Sequence, residues 1–311
     1  MDKIICIAGP TASGKTALAI SLAKLYDGEV VSCDSMQVYK GMDIGTAKPT
    51  KEEMQDIPHH MLDVAEPSED FSVSRYCEMA TPVVDDILAR GKTAIIAGGT
   101  GLYMDALIRG NDFAPCPSTG MRQKLEAQAD TEGMEAMLEL LRTIDPDAAA
   151  KLHLADRKRI IRALEVYYET GQTITAHNMK TQQLPSRYSP VWFALEDENR
   201  SDLYARIDSR VDKMLQAGLI DEIQALLREG IPEKCTAMQA IGYKEFIAAL
   251  KGECTIEEAA AQVQQSSRKY AKRQLTWFRR NPAIRWLRRA PGETGTEIVV
   301  KARQFLTDFD K

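Results

Sequence analysis

Gly9-Pro10-Thr11-Ala12-Ser13-Gly14-Lys15-Thr16 lies between an apolar run, Ile4-Ile5-Cys6-Ile7-Ala8, and a helical pattern, Ala17-Leu18-Ala19-Ile20-Ser21-Leu22-Ala23. Strand, glycine loop and helix in that order turn the spacing G-x-x-x-x-G-K-[ST] into a phosphate cradle. The glycines let the backbone wrap so that its N–H groups face phosphate oxygens, and the helix N-terminus behind them adds about half a positive charge. Lys15 is placed to meet a terminal phosphate, and the Thr16 hydroxyl to ligate Mg²⁺. A Gly/Ser-rich turn without a ligand is the plain alternative, and the flanking strand and helix weigh against it. The loop by itself leaves open which phosphate compound is held, and whether phosphate is transferred or departs.

Outward from the loop, Glu29-Val30-Val31-Ser32-Cys33-Asp34-Ser35 is a short β-branched run ending in a carboxylate. Strand C-termini of a parallel sheet share one edge, so Asp34 is expected to project toward the bound phosphates. Two roles compete for it: a partner for Mg²⁺, as in an ATPase, or a general base for an incoming nucleophile. Residues 36–49, rich in glycine and polar groups, read as a long active-site loop, and 51–70 as further loop, with Ser68-Glu69-Asp70 capping a helix that begins near Ser72. That helix carries apolar residues at 3–4 spacing, interrupted by Pro82. Thr93-Ala94-Ile95-Ile96-Ala97 is a second buried strand, and Gly98-Gly99-Thr100-Gly101-Leu102-Tyr103 a second glycine-rich turn on the same edge. No Asp closes that strand, where a motor ATPase more often carries one.

From about Pro115 the character changes. Cys116-Pro117-Ser118-Thr119-Gly120 is linker-like, and Met121–Ala129, Met134–Arg142, Asp147–Leu152 and Arg157–Glu169 show helical periodicity in succession, the last stopped by Gly171. Strand character returns at Pro190–Leu195. The expected fold is therefore α/β, a P-loop NTPase-like parallel sheet core formed by residues 1–115 and 189–311, with an all-helical insertion domain over 116–188. In a long helix from Ser201, Arg206 and Arg210 stand four apart, as a diphosphate clamp or as partners of Asp202 and Asp208. Arg157, Lys158, Arg159 and Arg162 crowd one short stretch of the insertion. Between Arg268 and Arg289 there are nine basic residues and no acidic one, interleaved with Tyr270, Trp277, Phe278 and Trp286. Such a stripe suits a phosphate backbone, and a solvated helix face is the alternative.

The 311 residues are 44% apolar and 27% charged, with a net charge of −5, which argues against indiscriminate nucleic-acid binding. No run of about eighteen apolar residues occurs and no charged-then-apolar leader opens the sequence, so no membrane association and a cytoplasmic location are expected. Cysteines 6, 33, 77, 116, 235 and 254 form no C-x-x-C pair and read as free thiols. His59, His60, His153 and His177 read as surface or packing residues, not metal ligands.

Taken together, Gly9–Thr16, Asp34-Ser35-Met36-Gln37-Val38-Tyr39, Gly41–Pro49, Gly98–Tyr103, Arg162-Ala163-Leu164-Glu165, Ile241-Gly242-Tyr243-Lys244 and Tyr270–Arg279 make the chain resemble the bacterial tRNA dimethylallyltransferases, or isopentenyl-diphosphate:tRNA transferases, from Ile4 to about Trp286. The resemblance implies transfer of a dimethylallyl group from dimethylallyl diphosphate to N6 of adenosine 37, beside the tRNA anticodon. It gives Asp34 the role of general base and Arg210, with Thr16 and Mg²⁺, that of holding the departing diphosphate. The whole loop Gly9, Pro10, Thr11, Ala12, Ser13, Gly14, Lys15 and Thr16, with Arg206, would line the diphosphate. Positions matching tRNA contacts are Asp34, Ser35, Met36, Gln37, Thr100, Arg122, Lys158, Arg159, Ile160, Ile161, Arg162, Gln239, Ala240, Ile241, Gly242, Tyr243 and Lys244, and the insertion would grip the anticodon stem-loop. The 158–162 and 239–244 segments match unevenly. No Cys/His zinc finger of the eukaryotic kind follows, which points to a bacterial-type enzyme, expected to be a monomer.

Two other classes share part of this pattern. A small-molecule kinase would share the core, but the strand ending at Ala97 lacks the Asp and the helical insertion is large. An enzyme prenylating free adenine nucleotides would share Asp34 and the P-loop without needing a basic, aromatic C-terminal segment. A non-enzymatic RNA-binding protein leaves both unused.

Overall fold

The structure, a computed structural model, describes residues 3–111, 113 and 119–307. The chain divides into two compact units, Met1–Ile108 with Tyr188–Lys311, and Arg109–Arg187. Of the linker-like stretch, Cys116, Pro117 and Ser118 lie outside the described residues.

In the first unit, strand β1 (Ile4–Ala8) leads through the glycine loop into α1 (Lys15–Leu25), followed by β2 (Gly28–Ser32), α2 (Lys51–Met54), β3 (His59–His60), α3 (Val73–Ala89), β4 (Thr93–Gly98) and α4 (Gly101–Arg109). The sheet order is β3-β2-β4-β1, and β1 pairs in parallel with β4 from Ile4↔Ala94 to Ala8↔Gly98. All of β1 is buried, as a central parallel strand covered on both faces must be, which is why its sequence is apolar without alternation. Strands β1, β2 and β4 therefore end level, and the P-loop, Asp34 and the Gly98 turn emerge on one edge.

The stretch 51–70 is more ordered than its composition suggests. Thr50 and Glu53 close a capping box on α2, and His59 and His60 extend the sheet in parallel with Val30 and Val31. The cap of α3 is Ser72 itself, whose hydroxyl accepts from the Arg75 N–H, not the 68–70 stretch. Glu69 instead pairs with the Arg75 guanidinium at 2.7 Å.

The second unit holds α5 (Met121–Ile144), α6 (Pro146–Ala149), α7 (Arg157–Thr170) and α8 (Ile174–Gln183). Gly133, at φ 86° and ψ 164°, breaks α5 into the two helices that the periodicity predicts. The expected helix 147–152 is one turn, started by the Asp145 carboxylate, and Gly171 ends α7 at φ 70°. Leu125, Met137 and Leu141 of α5 pack with Ile160, Ile161 and Leu164 of α7 as this unit's core.

The chain then completes the first unit with β5 (Val191–Asp197), α9 (Arg200–Gln216), α10 (Leu219–Arg228), α11 (Tyr243–Leu250), α12 (Ile256–Phe278), β6 (Arg285–Arg289) and α13 (Gly295–Arg303). β5 and β6 add to the sheet beside β1, all in parallel. Ile5, Ile7, Ile95, Phe193 and Leu195 pack with Leu18 and Leu22 of α1 and Ile298 of α13. The basic segment 268–289 is thus the end of a helix followed by an edge strand. No described helix is long and apolar enough to cross a membrane.

Candidate active site

The glycine loop takes the conformation its sequence requires: Gly9 at φ 148° and Gly14, the N-cap of α1, at φ 92°, with Ala12 left-handed at φ 60°. It is braced from outside. Gln274 of α12 accepts from the Thr11 N–H at 2.9 Å and donates to the Gly99 carbonyl at 2.9 Å, so one buried side chain ties the loop to the turn after β4. Arg206 donates to the Ala12 carbonyl at 3.0 Å and pairs with Asp197 at 2.5 Å. Within the loop, Lys15 Nζ donates to the Pro10 carbonyl at 2.7 Å, and Ser13 Oγ is buried with no hydrogen-bond partner.

Above the loop lies a cavity of about 340 Å³ lined by Thr11, Lys15 and Thr16, by Asp34–Gln37, by Gly45–Ala47, by Arg210, by Gln239–Gly242 and by Tyr270, Arg273 and Gln274. The rest of its lining is mostly apolar, Ile207, Val211, Met214 and Val263 with Ala97 and Gly98, and Ser267 adds a further polar residue. Asp34 reaches it because β2 ends level with β4 and its own carboxylate accepts from the Met36 N–H at 2.9 Å, turning the chain sharply. The approach is close enough that a Cβ on Gly98 would lie 1.9 Å from the Cys33 carbonyl oxygen.

Among the described residues four charged side chains line the cavity, Asp34 against Lys15, Arg210 and Arg273. Burial lowers the Lys15 ammonium to a pKa of about 8; the Asp34 carboxylate opposes that shift and Arg210 adds to it. Burial likewise lowers Arg210, again against the pull of Asp34. Tyr270 is raised to about 12 by burial and by the negative charge of Asp34. The Arg210 guanidinium donates to the Thr46 carbonyl at 3.3 Å, and the Arg273 guanidinium lies over the Tyr270 ring, 5.5 Å from its centroid.

Of the residues singled out in the sequence, Thr11, Lys15, Thr16, Asp34, Ser35, Met36, Gln37, Arg210 and Gln239–Gly242 converge on this cavity. Arg206 does not line it; its guanidinium is bonded to Ala12 and Asp197, and neither Asp202 nor Asp208 is its partner, so of the two arginines expected to clamp diphosphate only Arg210 lines this cavity. Thr100 stands one step back, its hydroxyl accepting from the Ser35 N–H at 3.0 Å. Tyr243 is fully buried, its hydroxyl bonded to Glu222 at 2.6 Å, and Lys244 beside it is exposed. Ile160 and Ile161 are core residues of the second unit, so no ligand can meet their side chains. On the same helix Lys158 and Arg159 are exposed, while Arg122 and Arg162 share Glu165 at 3.0 and 2.9 Å.

The basic segment is less bare than it reads: Arg268 pairs with Asp208, Arg279 and Arg288 with Glu196, and Arg289 with Asp197. Sequence reasoning missed the apolar wall and the carbonyl of Thr46. The wall was legible, since Ile207, Arg210, Val211 and Met214 follow i, i+3, i+4, i+7 spacing on α9, one stripe that leaves Arg206 off it. Among the described residues no cluster of three His, Cys, Asp or Glu side chains is placed to hold a metal. Mg²⁺ asks less of a protein, since it keeps waters and substrate phosphate oxygens, and the Thr16 hydroxyl in the cavity lining is a hard oxygen donor that fits it.

A family model described as IPP transferase matches residues 37–281. The chain belongs to the IPP transferase family. A tRNA dimethylallyltransferase of Thermoanaerobacter sp. is 47% identical over 286 residues, covering 91% of each chain, and one from Acetivibrio thermocellus is 42% identical over 310 residues, covering 99% of each. Among solved structures, a tRNA isopentenylpyrophosphate transferase of Bacillus halodurans is 42% identical with a TM-score of 0.75, over 99% of this chain and 97% of that one. A eukaryotic dimethylallyltransferase acting on tRNA is 29% identical with a TM-score of 0.85, over 99% of this chain and 80% of its own. Within the IPP transferase family the P-loop therefore sits in an enzyme that transfers a prenyl group.

Proposed function

We propose that this protein transfers a dimethylallyl group from dimethylallyl diphosphate to N6 of adenosine 37 in tRNA. The observation that carries the reading is the convergence, in one cavity, of a carboxylate (Asp34), two cations (Lys15 and Arg210) and an apolar wall on α9 and α12. The wall suits a five-carbon prenyl chain, and the P-loop N–H groups with the two cations suit diphosphate.

An adenine amine is a weak nucleophile because its lone pair is delocalised into the ring. As the bond from N6 to the allylic carbon forms, Asp34 takes the N6 proton, and the bond from that carbon to diphosphate oxygen breaks. Negative charge grows on the leaving oxygens, where Lys15, Arg210 and the loop amides would stabilise it. Mg²⁺ held by Thr16 would neutralise part of the same charge. The loop in this reading holds a leaving group and hydrolyses nothing. The adenine must leave its stack to reach Asp34; the exposed Lys158 and Arg159, with Arg122 and Arg162, suit the phosphates of the anticodon stem-loop. The enzyme is taken to act as a cytoplasmic monomer.

The test is incubation with labelled dimethylallyl diphosphate, Mg²⁺ and unmodified tRNA, scored for label in RNA beside phosphate release from ATP. Label in RNA without ATP turnover is the expected result. ATP hydrolysis abolished by Lys15→Ala, with no label reaching RNA, would overturn it in favour of a kinase or ATPase.

A further inference from the structure

Glu222, in the first turn of α10, lies outside the cavity lining, yet its carboxylate accepts four hydrogen bonds. One oxygen takes the N–H groups of Asp43 at 2.9 Å and Ile44 at 2.7 Å; the other takes the Gly45 N–H at 3.1 Å and the Tyr243 hydroxyl at 2.6 Å. Three successive amides turned onto one carboxylate fix the backbone of that turn. Tyr243 closes it from behind, for a Cβ on Gly45 would fall 2.5 Å from its ring. The next residue is Thr46, whose carbonyl receives the Arg210 guanidinium. Gln37, donating to the Thr46 and Ala47 carbonyls at 3.3 and 3.1 Å, holds the far side of the same turn.

We propose that Glu222 is a positioning residue for the reaction: by gathering the amides of 43–45 it sets the Thr46 carbonyl, and through it the direction in which Arg210 meets the diphosphate. An arginine on a helix has many rotamers, and one carbonyl at its end selects among them only if that carbonyl is itself fixed. A carboxylate suits the task because it accepts at every lone pair and donates at none. The inference rests on the reading of Arg210 as a diphosphate ligand. It also gives Gly45 and Tyr243 a shared role that exposure to RNA cannot, since Tyr243 is fully buried.

The decisive experiment is a double-mutant cycle between Glu222→Gln and Arg210→Ala, with donor KM, tRNA KM and the Kd for inorganic diphosphate as readouts. Glu222→Gln turns one end of the side chain into a donor facing N–H groups, and should raise donor KM and diphosphate Kd roughly tenfold while leaving tRNA KM within about twofold. In the Arg210→Ala background the same change should add less than about twofold, because the residue it acts through is gone. Tyr243→Phe removes one of the four bonds and keeps the ring, and should move the same constants in the same direction by about threefold. Additive effects in the cycle, or a shift in tRNA KM in place of donor KM, overturn the proposal. If Glu222→Gln does not fold, the Tyr243→Phe cycle with Arg210→Ala decides on the same criteria. An Arg210→Ala variant with normal donor KM and diphosphate Kd overturns the diphosphate reading and this inference with it. A strong Arg210 effect beside inert Glu222 and Tyr243 variants overturns this inference alone.

Discussion

Asp34 and Lys15 hold opposite charges over the same cavity, and each constrains what the other can do. If Asp34 takes the N6 proton, Asp34→Asn keeps the shape and the hydrogen bond to Met36 but cannot accept a proton. Single-turnover transfer should then fall by about 10²–10⁴, with tRNA and diphosphate binding retained; a near-normal rate removes Asp34 from the chemistry. Lys15 sets a pH limit. Its ammonium, lowered to about 8 by burial, is lost as pH rises through that value, so inorganic diphosphate should bind more weakly above about pH 8. Lys15→Arg, charged throughout, should lack that inflection, and the difference between the two profiles isolates Lys15. The stability of the ligand-free protein moves the other way. Between about 8 and 10.5 the unfolded chain binds the proton that folded Lys15 has released, so the Lys15 contribution favours folding more as pH rises. Most of this was legible: the loop spacing named Lys15, and a β-branched run ending in a carboxylate named Asp34. What was not legible is the partner of Arg206, because Asp197, which takes its guanidinium beside the Ala12 carbonyl, lies nine residues earlier and at the end of another element.

β1 and β4 could be read directly because a strand covered on both faces must be apolar throughout. Two elements could not. His59-His60 is two polar residues on a sheet edge, paired to Val30 and Val31 of β2 and tied to Glu29 by the His60 ring at 2.9 Å, and carries no alternation to detect. In β6 only Leu287 is buried, and the arginines around it read as a charged helix face because the carboxylate partners of Arg288 and Arg289 lie on β5. The end of β4 is the element on which the site depends most. Its Gly98 packs against backbone, not against a side chain that could swing away, so Gly98→Ala should cost about 1–3 kcal/mol, read as a lower urea midpoint with unchanged slope. An unchanged midpoint would mean that β2 and β4 are not held at this distance. In α7, one helix carries a buried apolar face and a basic exposed one, and the motif resemblance picked residues from both. Periodicity alone would have kept Lys158 and Arg159 and set aside Ile160 and Ile161.

Over the whole chain, a net charge of −5 coexists with a proposed polyanionic substrate, which requires the basic groups to be gathered in a few places. Many are already neutralised: Arg122 and Arg162 meet Glu165, and Arg279 and Arg288 meet Glu196. Lys158 and Arg159 are the exposed pair on α7, the Arg159 side chain being 74% accessible with Asp156 3.5 Å away. Replacing both by alanine should weaken tRNA binding and reduce the slope of log K against log salt by about 2, with inorganic diphosphate binding unchanged. An unaltered salt slope would take this helix out of the RNA contact. The brace on the P-loop bears on how the protein is made. Thr11 is synthesised 263 residues before Gln274, which accepts its N–H. At bacterial or eukaryotic elongation rates that separation is on the order of tens of seconds. Through that interval the nascent chain carries a glycine loop whose outer amide is unclaimed. The phosphate cradle is made long before the helix that finishes it.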